Sequence, residues 1–371
     1  MRPKEKSMIP KTFFVLILAF IWVYAQDEFK PASACGECHQ EIHLEWITSL
    51  HSMSTVQKDP LFRGMYNLAV EDTDGKLKEK CIVCHSPMAT VFQNIDTGTR
   101  FNKDGVTCQF CHSVDSISGF RSAKDFVIDL KTVYSDSPDA ETAPHPVAHR
   151  DFYTTSDFCL PCHAEMENTR GLDVCSTGEE WKTYFETHQE TCQDCHMPEI
   201  GGVPSHMFPG SHRSGILENA VNMELAFDTT TSELKITLTN AGAGHAIPTG
   251  TPLRMVFLKV AVIDSAGKTL WQNWSENPIM EDKEGLFMKI LGDSAGNGPV
   301  PPWKATQILF EKRLMPDEPV TVEYPVDHPN AYGVDVKLMF RYAPPPILKR
   351  LDITNPHYTQ ARVIVQKGMN L

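Results

Sequence analysis

The 371-residue chain has no run of about twenty apolar residues after its N-terminus, which excludes a membrane-crossing helix from its body. It has no surplus of base either. Lys and Arg number 34 against 47 Asp and Glu, and the formal charge is -13. Nucleic acid is thereby excluded as a partner, because phosphate binding needs clustered cations. Cysteine outside a pattern is almost absent: Cys175 alone of eleven falls outside a Cys-x-x-Cys pair. No cysteine occurs after Cys195, so the chain changes character part-way along.

What is present begins with a targeting segment, residues 1–25. Arg2, Lys4, Lys6 and Lys11 form a basic start, and Phe13 to Tyr24 is an apolar run too short for a comfortable span. Val23 and Ala25 suit cleavage before Gln26. The expectation is export to the periplasm or the extracellular space. A membrane enters only if this segment stays attached as an anchor, and no cysteine follows it to carry a lipid.

Every one of the five Cys-x-x-Cys pairs is followed at once by histidine: Cys35/Cys38/His39, Cys81/Cys84/His85, Cys108/Cys111/His112, Cys159/Cys162/His163 and Cys192/Cys195/His196. Disulfides, the usual reading of an exported cysteine-rich chain, leave those histidines unexplained. Zinc ribbons do not need a histidine behind each pair, and a thioredoxin-like motif is expected once, beside a βαβ pattern. Two thiols in one helical turn add to the vinyl groups of one haem, and the next residue presents its imidazole to the iron. The motifs therefore predict five covalently attached c-type haems. At roughly thirty residues per haem, such segments are too small to bury a useful apolar core, so the macrocycles are expected to serve as the core and to approach one another closely.

Ten histidines remain: His43, His51, His145, His149, His188, His206, His212, His245, His328 and His357. "QEIHLEW" reads as helix, which puts His39 and His43 on one face, so His43 is exposed or directed at a neighbouring haem. His51 lies far enough along to reach a different haem. His145 and His149 share a Pro-rich loop, and His206 and His212 follow the last motif. His188 is ambiguous, and His328 and His357 read as surface residues. His245 sits in "NAGAGHAIPTG", where Gly242, Gly244 and Gly250 permit close approach to a cofactor. The predicted distal set is His51, one of His145 or His149, one of His206 or His212, and His245, leaving one iron five-coordinate. Met88 reads as core packing and Cys175 as an inert buried thiol.

Beyond about residue 215, period-two runs take over: Leu234/Ile236/Leu238, Val320/Val322/Tyr324 and Val334/Val336/Leu338/Phe340/Tyr342. "RMVFLKVAVIDSAGKTLW" reads as two strands joined at Asp264 to Gly267, while "GDSAGNGPVPP" and "APPPI" read as loops. The expected architecture is α + β in two domains: a mostly helical and loop-built, haem-packed domain over 26–215, then an antiparallel β-sandwich over 216–371.

"CGECHQEIHLEWITSLHS", "CIVCHSPMA", "GVTCQFCH" and "CQDCHMP" resemble the multihaem c-type cytochromes, the superfamily of the tetrahaem cytochrome of ammonia oxidisers, pentahaem nitrite reductase and hydroxylamine oxidoreductase. The resemblance implies that Trp46, Ser49 and His51 form a strap supplying a distal ligand to a different haem, and that His245 is a ligand carried by a C-terminal β domain. It departs from the enzymes: no Cys-x-x-Cys-Lys is present, and five motifs are fewer than eight. The expectation is an electron carrier between redox partners, either cytochromes or a quinol-linked donor. An oxidoreductase acting on a small nitrogen or sulfur species at an open iron is the second expectation. The third is self-association into a haem wire, with His43 or His51 donated across an interface.

Overall fold

The computed structural model describes residues 28–137, 143–213 and 215–371. The targeting segment lies outside them. No helix among them is long and apolar enough to cross a membrane.

The N-terminal half is short helices, 3₁₀ turns and two-stranded ribbons. Each Cys-x-x-Cys-His motif occupies about one helical turn, as in Lys78–His85, Cys108–Cys111, Leu160–His163 and Cys192–His196. The amide of the motif histidine donates to the carbonyl of the first cysteine in the first, third and fourth motifs, at 2.9, 2.9 and 3.0 Å. Thr107 and Thr191 cap two of these turns, the latter in a capping box with Asp194.

This half does have an apolar core, which corrects the expectation that the macrocycles alone would provide one. Phe29, Tyr66, Ile82, Val83, Met88, Phe101, Phe110, Val114 and Phe126 cluster in its interior. The motifs are unevenly spaced, and the long gap from Cys38 to Cys81 contributes an amphipathic helix, Pro60–Asp72, capped by Asp59. Met88 is fully buried in this cluster.

The C-terminal half is antiparallel β-structure. Its strands are β1 (Val221–Asp228), β2 (Glu233–Asn240), β3 (Met255–Ile263), β4 (Thr269–Gln272), β5 (Leu286–Gly292), β6 (Gln307–Lys312), β7 (Pro319–Pro325), β8 (Gly333–Arg341) and β9 (Arg362–Asn370). One sheet runs β7-β2-β1 and the other β6-β5-β3-β8-β9, with β4 beside β3. Along β2 every second residue is buried, so Leu234, Ile236 and Leu238 meet Val260, Val336 and Phe340 of the larger sheet. Leu238→Ala is expected to cost about 2–5 kcal/mol, read as a lower denaturant midpoint for loss of the β circular-dichroism signal. "APPPI" is not all loop: Pro345–Arg350 is a helix, because proline is tolerated in a first turn whose N–H groups have no helical partner.

The halves dock closely. Leu61 joins the sandwich core, and Gly64 lies so near Leu351 that a Cβ there would approach it to 2.8 Å. Buried Lys289 of β5 donates to Asp173 at 3.1 Å, and Trp303 donates to Asp72 at 2.8 Å.

Candidate haem-binding site

The opening strap is built from its first helix, Gln40–Ile47. Trp46 is buried and donates from Nε1 to the carbonyl of Val106 at 2.8 Å, pinning this helix beside the third motif. Ser49 accepts from the Ser52 amide and caps the turn Leu50–Met53, which carries His51. The His51 carbonyl accepts from the Val106 amide at 2.9 Å, and Gly105, at φ +75°, has no room for a Cβ against that carbonyl. Glu45 of the same helix accepts from the amide of His206 at 2.7 Å and from Ser205 at 3.2 Å. One helix thus places two histidines distant in sequence.

Those histidines meet motif histidines in pairs. Ring centres are 6.2 Å apart for His51 and His163, for His206 and His112, and for His245 and His196. A metal–imidazole bond is about 2.0–2.1 Å and the ring centre lies about 1.1 Å beyond the nitrogen, so imidazoles on opposite sides of one iron have centres about 6.2–6.4 Å apart. Among the described residues no three His, Cys, Asp or Glu converge as a self-contained metal site.

Ring orientation fits the same use. Nδ1 lies on a backbone carbonyl in His85 (Ser54, 2.8 Å), His112 (Tyr134, 2.8 Å), His196 (Pro209, 2.6 Å), His206 (Pro204, 2.9 Å) and His245 (Ala246, 3.1 Å). A proton committed at Nδ1 leaves Nε2 as the electron-pair donor. Burial pushes the pKa of His51 down to about 3 and that of His163 down to about 4, and lowers those of His85, His112, His206 and His245. Neutral imidazole is the form that binds metal. Further donors are buried without a partner: Nδ1 of His145, Oγ of Ser211, both ring nitrogens of His212 and Nε of Arg213. Buried polar atoms are normally paired, and a haem, with its iron and two carboxylates, is a group such donors fit.

The motif thiols record which motifs adjoin. Cys35 neighbours Cys108, Cys84 neighbours Cys162, and Cys159 neighbours Cys192, while Cys111 stands near Cys159 and Cys162. The first, third, fourth and fifth motifs follow one another in space, and the second joins at the fourth. At the two ends, Cys38 and Cys195 are exposed.

A model of the family described as cytochrome c554 and c-prime matches residues 34–113. The fold is similar over nearly its whole length to the crystal structure of a penta-heme cytochrome c552 from Thermochromatium tepidum, with a TM-score of 0.81 and 23% identity, covering 93% of this chain and 99% of that one. The chain has the fold of a multihaem c-type cytochrome. No curated protein matches it.

Within this cytochrome fold the other candidates separate. His149 is exposed and holds Asp151 through Nε2 at 2.7 Å, which occupies the nitrogen a metal would take; His145 keeps its buried Nδ1. Of His206 and His212, His206 stands opposite His112 while His212 keeps both ring nitrogens buried and unpartnered. His51 stands against His163 of the same chain, with ring centres 6.2 Å apart. His43 packs on the Trp46 ring and on Gly36, whose Cβ would approach it to 2.7 Å. His188 stacks on Tyr184 at 3.9 Å and reaches Asp317 at 3.3 Å. Cys175 lies beside Thr177, and burial raises its thiol pKa. Neither His39 nor His85 has a second imidazole at the paired spacing among the described residues; His85 stacks instead on Phe62 at 3.8 Å. Sequence reading missed Glu45 and Glu180 as positioning groups, since nothing distinguishes them from exposed helix acids.

Proposed function

We propose that the chain is an exported pentahaem c-type cytochrome that carries electrons along closely spaced haems between redox partners. The three imidazole pairs at 6.2 Å carry the reading. Cys35/Cys38, Cys81/Cys84, Cys108/Cys111, Cys159/Cys162 and Cys192/Cys195 would hold the haems covalently. His39, His85, His112, His163 and His196 would be the proximal ligands, and His206, His51 and His245 the distal ligands of the third, fourth and fifth. Two axial imidazoles saturate an iron, lower its potential and leave no place for substrate, which suits a conduit. The strap of Trp46, Ser49 and His51 supports kinship with the superfamily of nitrite reductase and hydroxylamine oxidoreductase.

The order of the motifs supports a row with its ends at the first and fifth, where the anchors are exposed. Exposed Glu37 and Glu41 flank one end, and Glu190 and Asp194 the other. A partner with a basic docking face, a cytochrome or a quinol-linked donor, matches that charge. Export rests on the basic and apolar start of the sequence.

The second reading, an oxidoreductase acting on a small nitrogen or sulfur species, is favoured by His39 and His85, which have no opposing imidazole at the paired spacing among the described residues. Paramagnetic resonance and absorption of the ferric protein test both. At least three haems are expected to be low-spin, and a mainly high-spin spectrum overturns the conduit. A high-spin component confined to the remaining two, shifting on addition of nitrite or nitric oxide, supports the second reading; a fully low-spin spectrum that ignores both ligands removes it.

A further inference from the structure

His245 comes from the β-sandwich half, yet it faces a motif that belongs to the N-terminal half. Something must hold the loop 240–250 against that motif, and the structure shows how. The helix Thr177–His188 ends four residues before Cys192 and is continuous in chain with the fifth motif. Glu180 and Tyr184, one turn apart, share a face of it. Tyr184 backs the loop so tightly that a Cβ on Gly244 would meet its ring at 2.5 Å. Glu180, only 7% exposed, is the polar attachment. Its Oε2 accepts from the amide of Ala246, the residue after His245, at 3.1 Å and from Oγ1 of Thr249 at 2.7 Å. Its Oε1 accepts from the guanidinium of Arg313, which follows β6, and from Ser176 at 3.1 Å.

The loop's other side is tied into the sandwich. Asn240 donates to the carbonyls of His245 at 2.8 Å and Leu314 at 3.2 Å, and Ile247 exchanges two backbone hydrogen bonds with Leu314 at 2.9 Å. Because Arg313 adjoins Leu314, the pair Glu180–Arg313 bolts the loop and the segment bridged to it at Leu314 to the helix that precedes the fifth motif. A buried carboxylate satisfied by three groups from the opposite half is costly unless all of them are in position. This favours the docked arrangement over any in which the sandwich has shifted.

We propose that Glu180 is the positioning residue that latches His245 opposite His196, so that the ligation state of the fifth motif depends on docking of the β-sandwich onto the N-terminal half. The inference rests on the reading of His245 as a distal ligand. When a haem is bound there it supplies an iron with one site for that imidazole; Glu180 touches neither, and acts through the Ala246 amide, Thr249 and Arg313.

The test uses the full-length, haem-loaded protein and the spin state of its ferric haems. His245→Gly is the reference, expected to turn one haem of the five motifs high-spin. Glu180→Ala is expected to give a high-spin component of up to the same amplitude, returned to low-spin by added imidazole, with the other signals unchanged. Glu180→Gln keeps an acceptor oxygen for Ala246 and Thr249 and is expected to retain more of the low-spin form than the alanine variant. A folded Glu180→Ala protein whose spectrum matches that of the unaltered protein, beside a His245→Gly protein that has gained high-spin signal, overturns the latch alone. A His245→Gly protein with no spin change overturns the ligand reading and the latch together. Should the alanine variant fail to mature, hydrogen exchange on Glu180→Gln decides: faster exchange at Ala246 and Thr249 with strands β2 and β3 unaltered supports the latch, and wild-type rates at both residues overturn it.

Discussion

Replacing both Cys159 and Cys162 by serine is expected to yield a chain with one haem fewer that no longer passes electrons from the first motif to the fifth. The expectation rests on position. The thiol of Cys162 adjoins Cys84 of the second motif, that of Cys159 adjoins Cys192 of the fifth, and both stand near Cys111 of the third. Among the described residues the fourth motif alone has thiols beside those of three others, and removing its anchor opens a gap in every such route to the fifth. Haem content read from mass and absorbance should fall by one. Rapid reduction at one end, followed by re-equilibration among the haems, should lose its transfer phase to the fifth. The same double change at Cys35 and Cys38 also removes one haem, but at the end of the row, and should leave transfer among the rest intact. Equal effects of the two replacements would count against a row centred on the fourth motif.

His51→Gly is expected to turn the fourth haem from low-spin to high-spin and to raise its potential, because the loss of one strong-field imidazole removes the ligation that favours the ferric state. Visible absorption and a redox titration read both changes, and an unchanged spectrum would show that His51 does not face an iron. Acid provides an independent check. Burial, with His163 beside it, holds the pKa of His51 down to about 3, whereas the unfolded side chain takes up a proton near pH 6.5. The folded state therefore binds fewer protons across that interval, and the contribution of His51 to stability is complete above about pH 6.5 and declines as pH falls toward 3. Low-spin character at the fourth motif should persist well below pH 6.5 and disappear together with the fold; its loss in a chain that remains folded at pH 5 would contradict the burial.

Some of this architecture is local and was readable as such. A Cys-x-x-Cys-His turn needs no long-range contact to place its three side chains, so all five motifs are recognisable from spacing alone. The strands carrying Leu234, Ile236 and Leu238, or Val334 to Tyr342, are likewise local, since alternation follows from the pleat. Reading the N-terminal half as coreless failed because an average spacing hides the long gap that supplies Phe62, Tyr66 and Val70 on one helix. "APPPI" was misread because proline marks a helix start as readily as a loop.

What the sequence by itself determined is local: five Cys-x-x-Cys-His turns in the first half, and a β-structure after them. Which second imidazole faces which motif was decided only by tertiary structure. His206 reaches His112, His51 reaches His163 and His245 reaches His196 across separations of 94, 112 and 49 residues, as their numbers show. Local sequence singles out His51 and His245 as candidates and leaves His206 beside His212, but nothing local says which motif each one meets. Each is set by contacts made elsewhere: Glu45 on the His206 amide, Trp46 on Val106 behind His51, and Glu180 on the residue after His245. Ligation across a flat macrocycle requires two groups brought from opposite sides, and only the docking of separate segments supplies the second side.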